Sequence, residues 1–143
     1  VIILDANILL YAYHTGVPQH DAARRWIEEV FSGNEDIRIP WSTILGFLRI
    51  GTNPRVFERP LGIDEARAHV DGWLELPNVG VIEPGARYWD LLRTILVDAQ
   101  VAGPLVSDAA LAALAIEHGA ILATTDRDFS RFDGVKLLNP LRP

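Results

Sequence analysis

Ser107-Asp108-Ala109-Ala110-Leu111-Ala112-Ala113-Leu114-Ala115-Ile116-Glu117-His118-Gly119-Ala120-Ile121-Leu122-Ala123-Thr124-Thr125-Asp126 holds the reading that decides the fold. From Asp108 to His118 the residues are apolar almost all round, the signature of a helix buried on every side. Ser107 is a good N-cap type, and Gly119 suits the left-handed residue that follows a helix. Ala120 to Ala123 is then a short apolar run, read as a strand buried on both faces and ended by Thr124, Thr125 and Asp126. A buried helix feeding a buried strand belongs in a layered α/β domain.

The flanks repeat that pattern. Val1-Ile2-Ile3-Leu4 is another continuous apolar run, also closed by an aspartate, Asp5. His20 to Phe31 places Ala23, Trp26, Ile27, Val30 and Phe31 at helical spacing. Ile37-Arg38-Ile39 reads as a strand closed by Pro40, and Ser42 to Ile50 as a helix with Ile44, Leu45, Phe47 and Leu48 toward the core. Asp64 to Leu74 predicts a helix packed through Ala66, Val70 and Trp73. Val79 to Ile82 predicts a strand, and Gly85 to Val101 a long helix packed through Trp89, Leu92 and Leu96. Val135 to Leu138 supplies a last short strand. Strands alternating with helices predict a central, mostly parallel sheet with helices on both faces.

The 143 residues suit one domain, able to bury on the order of two thirds of its unfolded surface. With no cysteine, disulfide scaffolds, zinc ribbons and thiol catalysis are excluded. No two of the four histidines stand at a helical metal-ligand spacing. Apolar runs fall well short of the roughly 20 residues that span a bilayer, and the apolar start is cut at Asp5. A soluble, cytoplasmic protein with no membrane partner is the expectation. A net charge of −6 argues against a passive nucleic-acid coat, yet leaves room for an enzyme that holds cations in an acidic pocket.

In open α/β sheets ligands bind beyond the carboxyl ends of the strands. Two buried strands end there in Asp5 and Asp126, and Asp108 opens the helix that precedes the second of them. If those strands are neighbours, three carboxylates converge on one rim. They cannot all stay ionised without a counter-charge, and an all-oxygen set favours Mg²⁺ or Mn²⁺. Each acid also has a plain structural role open to it. Asp5 fits a helix cap or turn, Asp108 can answer a helix dipole, and Asp126 and Asp128 can form a turn about Arg127.

Ile3-Leu4-Asp5-Ala6-Asn7, Ser107-Asp108-Ala109 and Thr124-Thr125-Asp126-Arg127-Asp128-Phe129, in that order, resemble the motifs of a PIN domain. More narrowly, the whole chain is similar to VapC-type toxins of bacterial toxin–antitoxin pairs, down to the closing Leu137-Leu138-Asn139-Pro140. The resemblance implies a single PIN domain over residues 1–143 and a Mg²⁺- or Mn²⁺-dependent endoribonuclease that cleaves structured RNA. It assigns Asp5, Asp108 and Asp126 to catalysis and metal binding, with Asp128 a less essential partner. Asn7 then holds Asp5 or the RNA, or else simply caps a helix. Thr124 and Thr125 are placed to orient Asp126.

One position departs from that pattern. The family carries an acid in the helix after the second strand, and here the matching place holds Gly46. Ser42, Gly46, Arg49 and Asn53 form one stripe on that helix, which makes Arg49 the leading substrate-binding arginine in a set that includes Arg127. Gly46 reads either as a lost acid or as a close-packing residue. The resemblance also implies a cognate antitoxin and a homodimer. Apolar surface on the helices starting at His20 and Ser42 suits such a partner. Two other classes stand beside the ribonuclease. A non-catalytic PIN-like binding module would follow from loss of metal binding. Phosphoryl transfer through an aspartyl nucleophile wants an active-site lysine, whereas Lys136 is the only lysine.

Overall fold

Ile3 is fully buried against one helical layer, while Ile2 and Leu4 are buried against the other. Such alternation requires cover on both faces of the strand. The computed structural model describes residues 1–142; Pro143 lies outside the described residues. Five strands form one parallel sheet: β1 (Ile2–Leu4), β2 (Ile37–Pro40), β3 (Val79–Ile82), β4 (Ile121–Ala123) and β5 (Lys136–Leu138). Their order is β3-β2-β1-β4-β5. The chain therefore winds outward from β1 to one edge, then returns to β1 and winds to the other.

Six helices cover the faces: α1 (Ala6–Tyr13), α2 (His20–Phe31), α3 (Trp41–Gly51), α4 (Ile63–Glu75), α5 (Tyr88–Asp98) and α6 (Leu105–Glu117). The first four build one core layer through Ile8, Leu9, Ala23, Ile27, Ile44, Phe47, Val70 and Trp73. The other two, with Phe129 and Phe132, build the second. Among the described residues no helix is long and apolar enough to cross a membrane.

Several expectations are corrected. Helix α1 was expected only as a helix that Asn7 could cap, without bounds, because Ile8-Leu9-Leu10 prolongs the apolar character of β1 and conceals the change of period at Asp5. Ser107 does not cap α6: the helix starts earlier, at Leu105, with Pro104 in the cap position and no side-chain cap bond. A proline can begin a helix because the N–H it lacks would be unpaired there. Helix α5 is shorter than Gly85–Val101, since the N–H groups of Gly85 and Arg87 donate to the Glu117 carboxylate at 2.7 and 2.9 Å. Leu45 and Trp89, expected in the core, are 62% and 61% exposed. Helix α3 stops at Gly51, which puts Asn53 beyond it. The apolar face of α2 is largely used in the core and leaves little surplus for a partner.

The end of α6 is as read. Gly119 has φ +61, its N–H donates to Ile116 O, and the Ala120 N–H reaches Ala115 O at 2.9 Å. This paired closure turns the chain straight into β4. Tyr13, Phe47 and Trp73 pack with centroids 4.7–5.8 Å apart, Phe47 edge to face with each of the others, and the Trp73 indole N–H donates to the Tyr13 hydroxyl at 2.8 Å. These aromatics belong to the core rather than to a base-stacking surface.

Candidate active site

Because β1 and β4 pair with Leu4 opposite Ala123, their carboxyl ends finish side by side, and the Asp5 N–H donates to Ala123 O at 3.0 Å. Asp5 and Thr124 therefore face each other across the middle of the sheet. One Asp5 oxygen accepts from the Ala6 N–H at 2.8 Å and caps α1. The other accepts from the Thr124 hydroxyl at 2.7 Å. Burial raises the Asp5 pKa, the bonds from Thr124 and Ala6 oppose the rise, and the charge of Asp126 adds to it.

Thr124, itself buried, is the hub of the edge. Its oxygen gives its proton to Asp5 and accepts from the Asp126 N–H at 3.0 Å and from the Asn7 amide at 3.4 Å. One hydroxyl thus ties β1, α1 and the loop after β4 together. Asn7 caps nothing, since Asp5 holds the cap of α1. Its Oδ1 is buried without a hydrogen-bond partner, an acceptor the described side chains leave unsatisfied. A second buried hydroxyl, Thr43, donates to Leu4 O at 2.8 Å and pins α3 to the end of β1.

Asp126 caps the 3₁₀ turn Arg127–Arg131 by accepting from the Asp128 N–H at 2.9 Å. The turn swings Asp128 back toward Asp126. Asp108 arrives from the first turn of α6, and oxygens of Asp108, Asp126 and Asp128 all lie within 4.8 Å of one another. Asp5 is not in this tightest group but acts on it through its charge. The Asp108 pKa is pushed up to about 6, first by burial and then by Asp126, Asp5 and Asp128, with Arg131 opposing. Arg131 stands 3.3 Å from Asp128 and is the local counter-charge. One guanidinium against four carboxylates leaves the rim short of positive charge.

Two of the sequence candidates stand outside these bonds. Gly46 packs over α1: a Cβ there would lie 3.5 Å from the Cβ of Ala6, an ordinary contact. A side chain at 46 would therefore start beside the residue that follows Asp5. Arg49 is exposed, one turn further along α3, and joins none of the site's contacts. The sequence reading undervalued Asp128 and did not see Thr124 reaching Asp5. The motif Thr-Thr-Asp-Arg-Asp held the signal, but only the turn geometry shows which of its groups point inward.

An all-parallel sheet with a carboxylate cluster beyond its central strands defines an α/β domain with an acidic site at the carboxyl edge. The PIN domain family matches residues 2–135. Ribonuclease VapC33 of Mycobacterium tuberculosis is 40% identical over 142 residues, covering 99% of each chain. Ribonuclease VapC37 of the same species is 38% identical and covers 96% of each. The chain belongs to the PIN domain family and, within it, to the VapC ribonucleases. Its fold matches that of VapBC2 from Rickettsia felis bound to a promoter DNA fragment, with TM-score 0.68, 21% identity and 96% and 97% coverage of the two chains. It also matches M. tuberculosis VapC20, a sarcin-ricin loop cleaving toxin, with TM-score 0.68, 18% identity and 91% and 93% coverage.

Proposed function

We propose that this chain is the toxin of a toxin–antitoxin pair, an endoribonuclease that cleaves structured RNA with Mg²⁺ or Mn²⁺. The observation that carries the reading is the meeting of Asp108, Asp126 and Asp128 within 4.8 Å, beside Asp5, at the carboxyl edge of the sheet. The donor set fits a hard divalent cation, because it is all oxygen, crowded and short of counter-charge. The unsatisfied Asn7 Oδ1 beside Thr124 adds one more oxygen to the same edge. Asp5, Asp108 and Asp126 would hold the cation, with Asp128 completing the cluster. Bound there, it would polarise the scissile phosphate, activate water and stabilise the leaving oxygen.

The protein's own groups supply the rest. Thr124 fixes the Asp5 carboxylate and the start of the Asp126 loop, so the acids are set before RNA arrives. Arg131 restrains Asp128. Asn7 acts on the site through Thr124, and the exposed Arg49 offers charge for an RNA phosphate on the α3 side. Gly46 supplies no acid, which leaves the site underpowered. Against the alternative of a non-catalytic module, the Asp128 carboxylate stands together with Asp108 and Asp126 in the cluster.

For partners, we assign a cognate antitoxin whose arginine pairs with the acidic rim, and a second copy of the chain. Trp41, Leu45, Trp89 and Val106 expose apolar surface where α3, α5 and α6 begin. Trp41 shares one groove with Tyr88 and Ser107, so these helix starts adjoin. Exposed apolar side chains at adjoining helix starts mark a contact surface. The test of the main reading is calorimetric Mn²⁺ binding together with cleavage of structured RNAs. Asp108→Asn should lose both, and an unaltered Mn²⁺ affinity in that variant would sink the proposed site.

A further inference from the structure

Leu4 is the last residue of β1 and leads directly into Asp5. On the β2 side of β1 the parallel register sets Ile2 opposite Ile37 and sends the Ile2 N–H to Asp36 O at 2.9 Å. Two residues on, the same ladder brings the Leu4 carbonyl to residue 40, a proline with no N–H to give. The buried Thr43 hydroxyl takes that place, donating to Leu4 O at 2.8 Å. We infer that Thr43 is a positioning residue for the carboxylate cluster: it replaces the ladder bond that Pro40 cannot make and so fixes Asp5. The inference rests on the ribonuclease function proposed for the chain.

Two observations tie this bond to Asp5 in particular. The first is the peptide it holds. Leu4 and Asp5 share one planar unit, whose oxygen accepts from Thr43 and whose N–H donates to Ala123 O at 3.0 Å. Held from α3 on one side and β4 on the other, that plane is kept from turning, and the direction in which Asp5 leaves the backbone is set with it. The second is the reach of α3. Thr43 meets the residue before Asp5, and one turn on, Gly46 lies over the residue after it, where a Cβ at 46 would stand 3.5 Å from that of Ala6. The first two turns of α3 therefore bracket Asp5.

Without the hydroxyl, the Leu4 carbonyl would be a buried acceptor with no donor, and the proline in the matching ladder place has none to offer. The peptide would turn to find one. That turn would carry the Asp5 carboxylate off the Thr124 hydroxyl, from which it accepts at 2.7 Å. Groups that orient a metal ligand without touching the metal typically change metal affinity or activity by about 10–100-fold. Thr43 is such a group, acting on the cation and the RNA only through Asp5.

The test sets Thr43→Val and Thr43→Ser against the parent chain, with Thr52→Val as control. Thr52 donates its hydroxyl to Leu48 O at 2.7 Å, so that variant costs the other end of α3 a similar bond. Without metal, the Asp5 amide should exchange with D₂O about tenfold faster in Thr43→Val, beyond any change at the Ile37 amide. Calorimetric Mn²⁺ affinity should fall about tenfold in Thr43→Val and stay within about twofold of the parent in Thr43→Ser and Thr52→Val. In RNA cleavage, Thr43→Val should lower kcat and leave KM unchanged. Pro40→Ala returns an N–H to the ladder, so adding it to Thr43→Val should slow the Asp5 exchange again. If Thr43→Val does not fold, Thr43→Ala is read in its place. An unmoved Asp5 amide, an unmoved Mn²⁺ affinity, equal losses in Thr43→Val and Thr52→Val, no rescue by Thr43→Ser or no recovery with Pro40→Ala would each overturn the inference. The ribonuclease function is read separately, from Mn²⁺ binding and RNA cleavage by the parent chain. If those fail, that function falls, and the Asp5 amide alone decides whether Thr43 fixes this residue.

Discussion

Asp108 is where charge weighs most on this molecule. Its pKa of about 6 stands above the ordinary 3.8, so without a cation the folded chain holds that proton more tightly than the unfolded chain does. Stability should fall as pH rises between those two values and carry the full penalty above the higher one. In EDTA near neutral pH, Asp108→Asn should therefore melt at a higher temperature than the parent, the gap closing below about pH 4. Added Mn²⁺ should raise the melting temperature of the parent alone. Thermal melts across pH, with and without Mn²⁺, check both statements. Thr124 is the opposite case, a neutral group that acts through hydrogen bonds. Thr124→Val keeps the volume but strands the Asp126 N–H and an Asp5 oxygen, and should cost about 1–3 kcal/mol in denaturant melts while lowering cleavage. Gly46→Glu fits, because the new Cβ meets only Ala6 at 3.5 Å. It should raise RNA cleavage at least about tenfold, equivalent to about 1.4 kcal/mol in the transition state. Gly46→Gln is the control, and equal behaviour of the two would make Gly46 a packing residue. That Asp5, Asp108 and Asp126 lie near one rim could be argued from sequence, because each follows an apolar strand or sits in the first turn of an apolar helix. Thr124 as a hub could not, and Asp128 was given a lesser place than its position in the cluster. A hydroxyl's partner and the curl of a 3₁₀ turn depend on φ and ψ, which residue type alone leaves open.

At the scale of elements, the two helices that pack against each other on one face end differently. Helix α6 closes on Gly119 at φ +61, whereas α5 closes on Gln100, a side-chain-bearing residue at φ 49. Both closures use the same bond pattern, with Val101 N–H on Leu96 O at 3.0 Å in α5. Left-handed backbone is strained for any residue with a Cβ. Gly119→Ala should thus cost about 1 kcal/mol, although nothing lies within 4 Å of the new methyl. Gln100→Gly should gain roughly 0.5 kcal/mol, since strain is relieved while the unfolded chain becomes freer. Chemical denaturation of the pair measures both. The end of α6 could be read because glycine advertises its conformation. The start could not, because Ser107 is a good cap type standing two residues inside a helix that proline had already begun. Helix α1 was hidden for a related reason. Residues 2–4 and 8–10 are equally apolar, and a buried strand and a buried helix look alike when neither shows a polar face.

The whole molecule separates its surfaces. The exposed apolar side chains lie where α3, α5 and α6 begin, the acids sit over β1 and β4, and a cleft lined by Arg127, Leu137 and Asn139 opens toward β5. If the patch joins two copies, Leu45→Glu with Trp89→Glu should shift sedimentation from dimer to monomer and leave Mn²⁺ binding unchanged. A parent chain that sediments as a monomer at high concentration would refute the dimer. That the sheet is parallel and central could be argued from sequence. Its order could not, because nothing in two apolar strands says which pairs with which. The strand order also governs when, during synthesis, the acids can come together. Asp5 emerges 119 residues before its partner Thr124. At roughly 5–20 residues per second, that interval is on the order of ten seconds. Until β4 is out, β1 lacks its neighbour on that side and the acids have nothing to gather them. A nascent or truncated chain thus lacks the assembled carboxylate site, and under the proposed function translation itself delays the onset of cleavage.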